Sequence, residues 1–195
     1  WRGPEAGKSI VIKMWSRPDL KGKLRRLLHI SSCEHEWRNL ARLGSVGIAV
    51  PRPLGFGEVV PSIAGYTDVL FMEDLGGCDA ATEHLKRLIL TGQDQEVLRF
   101  ENQLIELTVG IVESGTLDVD HGLVNTVVQS SGRPVRLDFE LARRVIWIQL
   151  FPRTYGKMLG RLIGDYAFAV QPDVSRVTNF SERLCEPLRL PRQVL

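Results

Sequence analysis

Gly76-Gly77 divides this chain into two stretches whose hydrophobic periods differ. Before it, residues 9–15 alternate with β-branched side chains and residues 68–73 form a short apolar run, so both read as strands. Between them lies an expected helix with an apolar stripe of Trp37, Leu40, Ala41 and Leu43. Ser31 with Glu34 fits its capping box, and Gly44 is its expected stop. Val50-Pro51-Arg52-Pro53 then breaks into extended chain. After Gly77 the period becomes helical. Residues 95–113 place Val97, Leu98, Phe100, Leu104, Ile105, Leu107 and Ile111 on a long amphipathic helix, and residues 154–170 predict another. Residues 125–129 and 134–138 read as short strands joined by a turn at Ser130-Ser131-Gly132-Arg133. The last stretch, with Pro187 and Pro191, reads as irregular. Strands and one helix followed by a mostly helical part with an embedded hairpin predict an α+β chain in two lobes, residues 1–76 and 77–195.

Composition narrows the partners. The 195 residues are 44% hydrophobic and 25% charged, enough to bury a core without staples. A net charge of +2 speaks against a nucleic-acid binder, which concentrates a larger basic excess. Cys33, Cys78 and Cys185 are odd in number, far apart and without a C-x-x-C pair, which argues against structural zinc or a disulfide framework and for a reducing compartment. No apolar run approaches the roughly 20 residues of a membrane helix, and no signal peptide is visible. The chain begins with Trp1 rather than Met, so it reads as a fragment.

Two charges stand in apolar settings. Lys13 alternates with Val11 and Trp15 on one strand face, and Glu36 shares a helix face with Leu40 and Leu43. A buried unpaired charge is costly, so a Lys13–Glu36 ion pair between strand and helix is expected. A second cluster lies beyond Gly77. Asp120 precedes Asn125 by five positions, and Asp138 lies thirteen beyond Asn125. A symmetric hairpin about Ser131-Gly132 would set Asn125 opposite Asp138, giving a hard-oxygen site suited to Mg²⁺. Asp120, one loop away, could take the proton of an attacking hydroxyl. Cationic neutralisation, a divalent metal and a positioned nucleophile are the parts of phosphoryl transfer.

These residues carry a resemblance. Val11-Ile12-Lys13 resembles the V-A-I-K strand of kinases, and Glu36-Trp37-Arg38-Asn39-Leu40 resembles the helix bearing the partner Glu. Leu70 to Leu75 resembles the hinge strand, Asp120-x-x-x-x-Asn125 the catalytic loop, and Leu137-Asp138-Phe139-Glu140 the D-F-G element. The resemblance implies a two-lobed protein-kinase-like fold, with a small, truncated β-rich N-lobe and a reduced helical C-lobe. It implies ATP and Mg²⁺ as cofactors. Lys13 would contact the α- and β-phosphates and pair with Glu36, and Asp120 would be the catalytic base. Asn125 and Asp138 would hold Mg²⁺, and the main chain at Glu73 and Leu75 would bind adenine.

The departures select a branch. No Gly-rich phosphate loop precedes Lys13, where only Gly3 and Gly7 occur. Asp118 stands in place of the His of H-R-D, and Glu140 in place of the Gly of D-F-G. About 55 residues follow Phe139, without an A-P-E element, too few for a peptide-docking lobe. Atypical kinases with reduced C-lobes fit better. The text from Glu36 to Leu43 and from Gly47 to Pro53 resembles the lipopolysaccharide (Kdo/heptose) kinase family most. The implied acceptor is a sugar hydroxyl of a glycolipid such as lipopolysaccharide core. The implied location is cytoplasmic, with room for peripheral contact at the inner membrane. A pseudokinase module and an atypical RIO-type protein kinase remain as alternatives. Around the site, His121 reads as a loop stabiliser, Cys33 as structural and His29, His35 and His84 as surface residues. Arg143-Arg144 could face an anionic acceptor or be solvated.

Overall fold

The computed structural model describes residues 9–16, 32–63, 66–146 and 148–188. Ser31 of the expected capping box, Gly3, Gly7, His29 and Pro191 lie outside them. The chain forms two compact units, Trp1–Gly76 and Gly77–Leu195.

The first unit contains a three-stranded antiparallel sheet in the order β1-β3-β2, from β1 (Ile10–Ser16), β2 (Pro53–Ile63) and β3 (Tyr66–Glu73). Lys13 pairs with Leu70 at the middle of β1 and β3. Helix α1 (Ser32–Ser45) packs on β2 and β3, burying Leu40 and Leu43. It runs past the expected stop at Gly44. Ile48 N–H donates to Leu43 O at 3.1 Å and Gly47 N–H to Gly44 O at 3.1 Å, a Schellman closure. Strand β2 is longer than the extended segment read from sequence. Pro53, Gly55 and Gly57 punctuate it like a loop, and among the described residues β2 is an edge strand, where a missing N–H is tolerated.

The second unit is mostly helical: α2 (Ala81–Leu90), α3 (Asp94–Glu113), α4 (Pro152–Val170) and α5 (Val174–Cys185). A small sheet joins β4 (Asp79–Ala80), β6 (Thr126–Val128) and β7 (Pro134–Arg136), and β5 (Thr116–Leu117) pairs with β8 (Arg143–Arg144). Phe100, Leu104, Ile111, Leu123, Met158, Leu162 and Phe180 form the core. Leu98, expected on the apolar stripe of α3, is half exposed instead.

Helices α2 and α5 correct the sequence reading, which left the first unassigned and the second irregular. Helix α5 is made by its neighbours. Asp173 caps it, accepting from Arg176 N at 2.9 Å. Phe180 stacks on Tyr166 with centroids 4.0 Å apart, and Arg183 reaches the buried Glu101 at 2.6 Å. Glu101 also accepts from the Tyr166 hydroxyl, so one buried carboxylate ties α3 to α4 and α5. Among the described residues no helix is long and apolar enough to cross a membrane.

Candidate functional site

In the first unit, β1 and α1 present the expected ion pair. Lys13 Nζ lies 2.7 Å from Glu36 Oε2, with the Glu36 side chain 1% exposed and that of Lys13 26% exposed. The ammonium also sits 5.0 Å from the centre of the Trp15 ring. The carboxylate thus holds the cation at a partly open position, where it can meet an anion.

At the end of β3, Glu73 donates its N–H to Arg52 O at 3.0 Å, and its carboxylate accepts from Arg52 N at 2.8 Å. The Glu73 N–H is therefore already taken up by Arg52. Cys33 is buried, with Sγ 3.8 Å from Gly57 O, in keeping with a structural role.

In the second unit, the loop from Asp118 to Asn125 carries the remaining candidates. The hairpin that follows differs from expectation by one position. Thr126 pairs with Arg136, and Leu137 N–H donates to Asn125 O at 3.0 Å, so Asn125 faces Leu137 and Asp138 lies one residue further on. The turn explains the shift. Gly132 N–H donates to Gln129 O at 2.8 Å and Gln129 N–H to Arg133 O at 3.0 Å, leaving a three-residue loop, Ser130-Ser131-Gly132. Gly132 takes φ +83°, the left-handed residue such a loop requires. The centre of the hairpin is Ser131, not the Ser131-Gly132 bond.

Asn125 Nδ2 donates to Asp120 O at 3.3 Å, so this hydrogen bond uses the amide nitrogen and not the amide oxygen. Asp138 Oδ1 accepts from Glu140 N at 3.0 Å, fixing the carboxyl plane. One amide oxygen and one carboxylate suit a hard cation that keeps other positions for water and phosphate oxygens, as Mg²⁺ does. Among the described residues no three His, Cys, Asp or Glu side chains gather as a metal site. Asp120, the expected base, is exposed.

Two groups that sequence reasoning did not assign support this loop. Asp118 and Arg136 form an ion pair at 2.6 Å with side chains 1% and 0% exposed. Burial raises the Asp118 carboxyl, and the Arg136 guanidinium opposes that rise. The signal was present in the sequence, since Arg136 stands in the apolar run Pro134-Val135-Arg136-Leu137 as Lys13 stands in its own strand. From the other side α4 supplies Asp165, which accepts from Val124 N at 3.4 Å. A methyl on Gly122 would lie 2.2 Å from Asp165 Oδ2, so any larger residue there would push the Asp165 carboxylate away from the loop.

His121 is fully buried, a loop stabiliser rather than a titrating group. Thr108 Oγ1 donates to Leu104 O at 2.8 Å and lies 2.9 Å from His121 Nε2, so it accepts the Nε2 proton. Burial, and secondarily the Arg136 charge, pushes the imidazole down to about 3 from its ordinary 6.5. Between those values the unfolded chain binds a proton that the folded chain refuses. Stability therefore falls as pH drops below 6.5, by about 1.4 kcal/mol per unit. The advantage of the natural protein over His121→Gln should shrink by that amount per unit when urea unfolding is measured at successive pH values from 6.5 downward. A pH-independent difference would show that folded His121 protonates.

The remaining singled-out residues separate. Arg143 and Arg144 are exposed on β8. His84, read as a surface residue, is instead half-buried, 5.5 Å from the Phe100 ring and 3.8 Å from Asp79. Burial lowers its pKa, with the Arg87 charge second.

No family model and no curated protein matches the chain. Solved structures do. WaaP, determined in complex with acyl carrier protein, superposes with a TM-score of 0.57 at 17% identity, over 81% of this chain and 70% of that one. WbdD, crystallised with the kinase inhibitor LY294002, gives a TM-score of 0.50 at 15% identity, over 95% of this chain and 43% of that one. The chain therefore spans less than half of the WbdD chain. At these identities the likeness is one of fold: α+β and protein-kinase-like.

Proposed function

We propose that this chain is an ATP-dependent phosphotransferase of the lipopolysaccharide-kinase type, acting on a sugar hydroxyl of a glycolipid such as lipopolysaccharide core. The observation that carries the reading is the Lys13–Glu36 ion pair, 2.7 Å long, on strand and helix of a kinase-like fold. We read Trp1–Gly76 as the small lobe and Gly77–Leu195 as the larger one. The crystallisation of WbdD with a kinase inhibitor and the sequence resemblance both favour ATP as donor.

In this reading Lys13, held by Glu36, neutralises the α- and β-phosphates. The Glu73 carbonyl and the Leu75 main chain hold adenine. Asn125 and Asp138 hold Mg²⁺, which when bound offsets the charge of the phosphate oxygens. Asp120 takes the proton of the acceptor hydroxyl as the new O–P bond forms and the bond from the γ-phosphorus to ADP breaks. Positioning and charge stabilisation then account for most of the rate. Such an acceptor places the protein in the cytoplasm, in peripheral contact with the membrane that bears its substrate.

The test is transfer from γ-labelled ATP with Mg²⁺, offered a Kdo- and heptose-containing core glycolipid and, separately, a protein acceptor. Label on the glycolipid sugar is the expected result. Label on protein alone moves the assignment to a RIO-type protein kinase. Tight Mg²⁺-ATP binding without transfer makes the chain a pseudokinase, and no nucleotide binding at all overturns the reading.

A further inference from the structure

One guanidinium holds most of the second-unit site. Arg136 Nη1 donates to Asn125 O at 2.8 Å, and Nη2 donates to Asp118 Oδ2 at 2.6 Å and to Asp120 O at 2.9 Å. Its carbon lies 5.3 Å from the centre of the Phe139 ring, the residue after Asp138. The other oxygen of Asp118 accepts from Asp120 N at 3.2 Å. Asp120 is thus gripped at both main-chain groups, its N–H by Asp118 and its carbonyl by Arg136, while the residue itself remains exposed.

A buried ion pair is a poor device for stability alone. Desolvating two charges is expensive, and hydrophobic pairs of similar volume are commonly as stable or more so. What an apolar pair cannot do is donate to carbonyls at separate points of a loop. Arg does this through a rigid fork, where Lys offers a single point charge. Asp118 stands where the resembled H-R-D motif has its His, uncharged at neutral pH, and Arg136 lies two residues before Asp138 of the D-F-G-like element. The charge at one position is balanced by the charge at the other.

We propose that Arg136, through its ion pair with Asp118, is the positioning residue of the transfer loop, setting Asp120 and Asn125 in register for reaction. This rests on the reading of Asp120 and Asn125 as transfer-site residues.

The decisive variant is the double substitution Asp118→Leu with Arg136→Met. It replaces the pair by apolar groups, and both carbonyls keep another donor: Leu137 N to Asn125 O, and Asn125 Nδ2 to Asp120 O. It should fold and melt near the natural protein. Its kcat should fall about 100-fold, the scale of a misplacement near 1 Å, while KM for ATP changes little. Backbone amide exchange over residues 118–125 should accelerate about tenfold or more, with α3 unchanged. Arg136→Lys keeps the charge but not the fork and should lose much of kcat as well.

A double variant with natural kcat and natural loop protection overturns the proposal. Equal losses across α3 and the loop would reduce Arg136 to a general structural role and overturn it too. If the double variant does not fold, Asp118→Asn and Arg136→Lys are read by the same two measurements. If the natural protein transfers phosphate to no acceptor, the kinase reading fails. Exchange over 118–125 then still decides whether Arg136 sets the loop.

Discussion

Asp120→Asn should lower kcat by roughly 10²–10⁴-fold and leave Mg²⁺-ATP affinity nearly unchanged. The substitution keeps the shape and removes the proton acceptor. It should not disturb the loop, because the loop is fixed through main-chain groups of Asp120, its N–H to Asp118 and its carbonyl to Arg136. Asn125 also reaches that carbonyl rather than the Asp120 carboxylate. The contrast between a large kcat loss and constant nucleotide affinity, measured by steady-state transfer and equilibrium binding, separates base catalysis from loop damage. Equal transfer rates for the two proteins would remove Asp120 from the base position while leaving the phosphotransferase reading standing.

Asp138→Ala should abolish the metal-dependent part of nucleotide binding. Calorimetric affinity for ATP with Mg²⁺ should fall to the value found with a chelator. The fold should survive, since Asp138 is only half-buried and lies beyond β7, not within its ladder. Its carboxylate accepts from Glu140 N at 3.0 Å, a contact worth about 1 kcal/mol. That is small against the loss of a metal-ligand carboxylate. Unchanged Mg²⁺-ATP affinity would remove Asp138 from the metal site and would leave Asn125 without its partner ligand.

How much of this was legible depended on the range of the force involved. The Lys13–Glu36 pair could be read because each charge interrupts a short apolar pattern, and patterns of that length fit within one strand or one helix. Helix α3 could be read for the same reason over its 20 residues. Helix α5 could not. Its sequence, VSRVTNFSERLC, has β-branched residues and modest intrinsic preference, and its stability comes from Phe180 on Tyr166 and Arg183 on Glu101. The hairpin was legible as a hairpin, but its register was not. The loop closes over three residues rather than four, with Gly132 at φ +83°, and that length moved the partner of Asn125 from Asp138 to Leu137.

The sequence by itself determined the α+β class, the order of strand-rich and helical parts, and the spacing of Lys13, Glu36, Asp120, Asn125 and Asp138. These are properties of periodicity and local turn chemistry, which neighbours in the chain establish. Only the tertiary structure decided what Arg136 does. In the sequence it is one charge in a short apolar run, which signals burial but names no partner. Folding removes it from water completely, leaves Asp118 as its counter-charge, and aims its donors at the main chain of the loop. Burial sets the strength and the partner of a charge, and burial is a property of what packs over a residue from distant parts of the chain.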